Sequence, residues 1–179
     1  MWERACHAIP QPNPPNTIYL PLNPDLQKLY QQTLLAHSKQ PHNNHALAGA
    51  AQATLRNPLC GDEITVYHKT NHDGTTQTTF TAQACTICLA SASMMTQHLA
   101  TLPTPEAAQF AQGLVSKFQN TKTRNPEPGT PAPDFLPDEL AALSGVLTFP
   151  SRIRCATLPF EAYLQLSTAN PQNLPPQSD

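Results

Sequence analysis

Cys60 and Asp62, with a glycine between them, are residues whose types and spacing invite chemistry. Gly61 lets the backbone turn tightly, so a thiol and a carboxylate can face one point from a single loop. Cys85 opens a helical pattern, where unpaired backbone N–H groups and the helix dipole favour thiolate over thiol. Cys155 reads as part of a connector just before another helix start, and the nearby Arg152 and Arg154 are expected to lower its pKa further. Together Cys60, Asp62, Cys85 and Cys155 offer four deprotonatable donors of borderline to soft character. Four is the number a tetrahedral zinc takes, and the same thiolates can hold an iron–sulfur cluster. Spacing does not choose between these, and it matches no zinc-finger pattern, so three unconnected buried cysteines remain the plainer alternative.

Other reactive residues carry less. Cys85-x-x-Cys88 has the outline of a thioredoxin-like redox pair, but the βαβ context of such a pair is not evident. Cys88 is therefore read as a small buried side chain one helical turn from the metal, and Cys6 as incidental. His37, His42, His45, His68, His72 and His98 follow no ligand pattern and are read as exposed or hydrogen-bonded structural residues. Met94 and Met95 are read as core filling.

The 179 residues fit one domain with a real core. Only 12% are charged and the net charge is -2, so no basic field exists to attract nucleic acid or anionic lipid. The first residues lack a signal-peptide pattern, and nowhere do 18 apolar residues run together. A cytoplasmic protein, with no membrane partner, is expected. Five cysteines are an odd count, and a reducing compartment turns them towards metal binding, catalysis or burial rather than disulfides.

The elements that must position the donors follow from pattern and punctuation. Residues 1–22, with five prolines, read as a flexible arm. A helix is predicted from Asn23 or Asp25 to before Pro41, on the spacing of Leu26, Leu29, Tyr30, Thr33 and Leu34. Ile64–His68 and Gln77–Ala82 are β-rich, and Asn71-His72-Asp73-Gly74 between them suits the turn of an antiparallel hairpin. Ile87–Leu99 reads as a helix of small residues, and Thr104-Pro105-Glu106 starts another carrying Phe110, Leu114 and Phe118 on one face. Residues 120–137 read as an exposed loop and Asp138–Leu143 as a short helix stopped by Gly145. Thr157 opens a last helix through Leu166. The domain is thus expected over 23–168, with a disordered tail over 169–179.

Three segments, in order, resemble the IscU/SufU family of iron–sulfur cluster assembly proteins: Asn57-Pro58-Leu59-Cys60-Gly61-Asp62, the run Ala84-Cys85-Thr86-Ile87-Cys88 through Thr96, and Phe149-Pro150-Ser151-Arg152-Ile153-Arg154-Cys155-Ala156-Thr157-Leu158. The likeness extends from about Asp25 to Leu166. It is closer to the SufU branch: the stretch between Cys85 and Cys155 resembles that branch's insertion, Arg154 stands where IscU proteins carry a histidine, and their Leu-Pro-Pro-Val-Lys motif is absent. Ala84 and Cys88 depart from the glycine and small residue usual at those positions. The resemblance implies an α+β fold, a small antiparallel β-sheet with helices packed against it. It also implies zinc on Cys60, Asp62, Cys85 and Cys155, and persulfide sulfur passing from a SufS-type cysteine desulfurase to Cys60. A [2Fe–2S] cluster on the same ligands, assembled and handed on to downstream iron–sulfur assembly proteins, is the alternative.

Overall fold

The computed structural model describes residues 24–71, 75–121 and 136–169. The expected arm, residues 170–179 of the expected tail, residues 122–135 of the expected loop and the tip of the hairpin turn lie outside these residues, whereas Asn120, Thr121 and Ala169, expected in the loop and the tail, are helical.

Three strands form an antiparallel meander: β1 (Ala51–Arg56), β2 (Glu63–Thr70) and β3 (Thr76–Gln83), in the order β1-β2-β3. The predicted hairpin is β2 and β3, with Val66 opposite Phe80 and Thr70 opposite Thr76. Alternation sets the buried face, since Ile64, Val66 and Phe80 are wholly inaccessible. β1 was not legible in the pattern. It pairs with β2 from Ala51–His68 to Arg56–Glu63, which leaves Asn57–Asp62 as the connection between them. That connection is closed by two backbone bonds, Asn57 N–H to the Asp62 carbonyl (2.8 Å) and Gly61 N–H to the Asn57 carbonyl (2.9 Å). Gly61 has φ of +77°, a conformation that L side chains rarely adopt.

Helix α1 (Pro24–Lys39) turns Leu26, Tyr30, Thr33, Leu34 and His37 inward, whereas Leu29 is exposed. Helix α2 (Thr86–Leu99) is buried nearly all round, from Cys88 to Leu99, and its Ala and Ser residues admit neighbours closely. It packs against α1, β3 and the last helix. Helix α3 (Thr104–Thr121) buries Ala107, Ala111, Leu114 and Phe118 against that last helix, and Phe110 lies between His98 and Phe160 with its ring tilted to both.

Two expectations need correction here. The short helix at Asp138 does not stop at Gly145 but continues as a 3-10 helix to Thr148, held by the buried Leu140, Leu143, Val146 and Leu147. The last helix, α4, spans Ile153–Ala169 and begins four residues before Thr157. Pro159, read as a residue of the first turn, lies inside it. Burial of Ile153, Cys155 and Ala156 outweighs the proline's loss of one helical hydrogen bond.

Candidate metal centre

The ends of three elements meet at one corner of the sheet. Cys60 and Asp62 come from the β1–β2 connection, Cys85 from the cap of α2, and Cys155 from the first turn of α4, not from a connector before it. One donor atom each from Cys60, Asp62 and Cys155 lies within 4.8 Å of the others. The Cys60 and Cys155 sulfurs are 3.7 Å apart although 95 residues separate them. Cys60 is exposed, while Cys155 is buried completely.

Cys85 joins through its backbone. It caps α2 with an extended conformation (φ -67°, ψ 163°), and its N–H donates to Asp62 Oδ1 at 2.8 Å. Asp62 thus does for α2 what a capping side chain does from within the helix, satisfying a terminal N–H. The Cys85 sulfur itself falls outside the 4.8 Å group. Asn57 was not singled out as a site residue, yet it is wholly buried and organises the loop. Its Oδ1 accepts the Leu59 N–H at 3.2 Å, and its Nδ2 points at the Cys155 sulfur, 3.8 Å away. An inward-facing asparagine at the end of an edge strand leaves no trace in periodicity.

Electrostatics correct another expectation. Burial pushes the Cys85 thiol up, opposed only in part by the nearby Cys88 amide and Cys155, and Asp62 adds to the rise. Cys155 goes up more strongly, through burial and then the Cys85, Cys60 and Asp62 groups around it. The helix termini and arginines do not win, and Arg154 instead reaches along α4 towards Glu161 (Nε to Oε2, 3.8 Å). Arg152 is exposed. Burial also acts to raise Asp62, but the thiols of Cys60 and Cys85 and the Cys85 N–H together hold its carboxyl below the usual carboxylate value.

The other polar atom of Asp62, Oδ2, is buried and has no hydrogen-bond partner among the described residues. An orphaned carboxylate oxygen costs free energy unless something fills its lone pairs. Thiols whose protons are held tightly stand beside it, and a divalent cation would replace those protons and accept the oxygen at once. The donor set therefore fits a metal ion. No histidine among the described residues enters it; His37 is bonded to Ser93 and Glu139, and His68 to Thr78.

The NifU-like N-terminal domain model matches residues 29–131, which include Cys60, Asp62 and Cys85 and end before Cys155. The chain is 34% identical over 155 residues to the iron–sulfur cluster assembly scaffold protein IscU of Streptococcus pyogenes serotype M1, covering 86% of this chain and 92% of that one. It is 33% identical over 141 residues to the zinc-dependent sulfurtransferase SufU of Bacillus subtilis strain 168, covering 78% and 90%. The crystal structure of a NifU-like N-terminal protein from Brucella abortus shares the fold, with a TM-score of 0.60 at 23% identity over 78% of this chain and 92% of that one. The chain belongs to the NifU-like N-terminal domain family and is a relative of the IscU and SufU proteins, as its cysteine-bearing segments led us to expect.

Proposed function

We propose that this protein is a zinc-containing sulfur-transfer protein of iron–sulfur cluster assembly, accepting persulfide sulfur on Cys60 from a SufS-type cysteine desulfurase. Cys60, Asp62, Cys85 and Cys155 are its metal ligands. The observation that carries this reading is the asymmetry of the site: one exposed thiol, Cys60, lies 3.7 Å from a fully buried one, beside a carboxylate oxygen with no partner. A partner's persulfide can reach Cys60 while the other donors stay enclosed. The SufU relative, named as a zinc-dependent sulfurtransferase, supports the choice of zinc and of sulfur transfer.

In the transfer, the Cys60 thiolate attacks the outer sulfur of the desulfurase persulfide, a new S–S bond forms, and the desulfurase thiolate leaves. Bound zinc would supply charge that keeps its cysteine ligands deprotonated at neutral pH. Asp62 holds α2 in place through the Cys85 N–H, and Asn57 keeps the loop folded so that Cys60 is presented outward. Downstream iron–sulfur assembly proteins are the receivers, and the cytoplasm is the proposed compartment. No helix among the described residues is long and apolar enough to cross a membrane.

The second reading is a scaffold that holds a [2Fe–2S] cluster on the same ligands, favoured by the name of the streptococcal relative. An oxygen donor at Asp62 would weaken the hold on a cluster and favour its release. Anaerobic purification with zinc, iron and sulfide quantification separates the two. About one zinc per chain without colour supports transfer, whereas iron with acid-labile sulfide and a brown chromophore supports the scaffold.

A further inference from the structure

The Asn57 side chain has two polar ends, and folding the loop uses only one of them. Its backbone N–H donates to the Asp62 carbonyl, its own carbonyl accepts the Gly61 N–H, and its Oδ1 accepts the Leu59 N–H. A backbone N–H can only donate, so the amide oxygen must face Leu59 and the NH2 group must face the other way. There Nδ2 meets the Cys155 sulfur at 3.8 Å, its one hydrogen-bond partner among the described residues. Asn57 and Cys155 are both wholly inaccessible, so water cannot stand in for either. A buried N–H without an acceptor is destabilising, and the sulfur supplies one. Cys155 is held from α2 as well, since Ser91 Oγ donates to the carbonyl of the next residue, Ala156, at 2.6 Å.

We propose that Asn57 is a positioning residue of the metal site, whose Nδ2 donates a hydrogen bond to the Cys155 sulfur, orients that sulfur and strengthens its hold on the ion. This rests on the metal-binding reading of Cys60, Asp62, Cys85 and Cys155. Groups that hydrogen-bond a metal ligand set its orientation and its donor strength. A bond to a charged acceptor is stronger than one to a neutral acceptor, so the contact favours Cys155 as a metal-bound thiolate. Cys60, the exposed sulfur 3.7 Å away, accepts no bond from an amide among the described residues. The two neighbouring sulfurs are thereby made unequal as donors.

Two substitutions separate this role from closure of the loop. Asn57→Ala removes both the acceptor for the Leu59 N–H and the donor to sulfur. In Asn57→Ser a hydroxyl can still take the Leu59 N–H, as serines do in turns, but it is one atom too short to reach Cys155. Cobalt(II) in place of zinc gives sulfur-to-metal charge-transfer absorption in the near ultraviolet, and a sulfur that loses a hydrogen bond gives up its electrons more readily. In both variants the band should move to longer wavelength at unchanged intensity per cobalt. Zinc should pass from both to a competing chelator at least about tenfold more readily than from the unmodified protein. Matching far-ultraviolet circular dichroism checks that each variant is folded, and Asn57→Ser decides the matter by itself if Asn57→Ala does not fold. An unmoved band in Asn57→Ser would assign the residue to closing the loop alone and overturn the proposal, while leaving the four-ligand site intact. Absence of cobalt binding by the unmodified protein would instead remove the metal-binding reading, and this one with it.

Discussion

At the scale of single residues, the site separates access from enclosure. Cys60 is the sulfur a partner can touch, so Cys60→Ala should abolish persulfide acceptance, read as the persulfide mass increment after incubation with a desulfurase and cysteine. Undiminished loading of that variant would end the proposed role. In the proposed metal site Asp62 offers an oxygen as well as bonding the Cys85 N–H, so Asp62→Ala should weaken zinc retention by about tenfold or more in chelator competition. Gly61 separates conformation from packing. A methyl group there would meet nothing within 4 Å, yet φ of +77° costs an L-residue about 1–2 kcal/mol. Gly61→Ala should lower unfolding stability by that amount in a urea titration. That Cys60, Asp62 and Cys155 meet was legible through the resemblance of their segments to a known family, since spacing alone left unconnected buried cysteines open. Asn57 was not, since an amide that folds a loop differs in no pattern from an ordinary turn residue. Nor were the pKa directions of Cys85 and Cys155, because they depend on burial that only the assembled fold creates.

At the scale of elements, a buried polar knot joins three helical segments. His37 of α1 bonds Ser93 of α2 through Nδ1 (2.8 Å) and Glu139 of the 3-10 helix through Nε2 (2.9 Å), and Ser93 Oγ also accepts the His42 N–H (2.8 Å). Ser93→Ala would leave the buried His37 Nδ1 without its partner and should cost about 1–3 kcal/mol in the same titration. Helices α1, α2 and α3 were readable because spacing and caps agree along them. β1 was not: Ala-Gln-Ala-Thr-Leu-Arg has little β-propensity, its residues are mostly exposed, and it is a strand because β2 offers it a partner. The start of α4 was hidden by Pro159, which in sequence looks like a helix opener and in three dimensions is tolerated by the packing of its neighbours.

At the scale of the whole molecule, the sheet and the helical layer meet where His68 of β2 sets its ring edge-on to Tyr163 of α4, 5.4 Å between centroids. Burial holds this histidine below its ordinary value of 6.5, and its enclosed Nε2 has no hydrogen-bond partner among the described residues. A folded-state pKa lower than the unfolded one means that the unfolded chain takes up the proton first. The contribution to stability is complete above the ordinary value and is lost as pH falls below it through the folded pKa. The melting temperature of metal-free protein should therefore fall as the pH drops below the ordinary histidine value, and fall less in His68→Gln. An equal slope in the variant would assign the acid sensitivity elsewhere.

The 95-residue separation between Cys60 and Cys155 has one more consequence. A chain still emerging from the ribosome can pair its strands and build α2 well before the α4 cysteine exists, so it holds only part of the donor set. Metal loading of the proposed site must wait until the final helix has been synthesised and has docked. An ion held by the complete set is thus a mark of finished folding, and fragments that end before α4 cannot compete for metal on equal terms with the full-length protein.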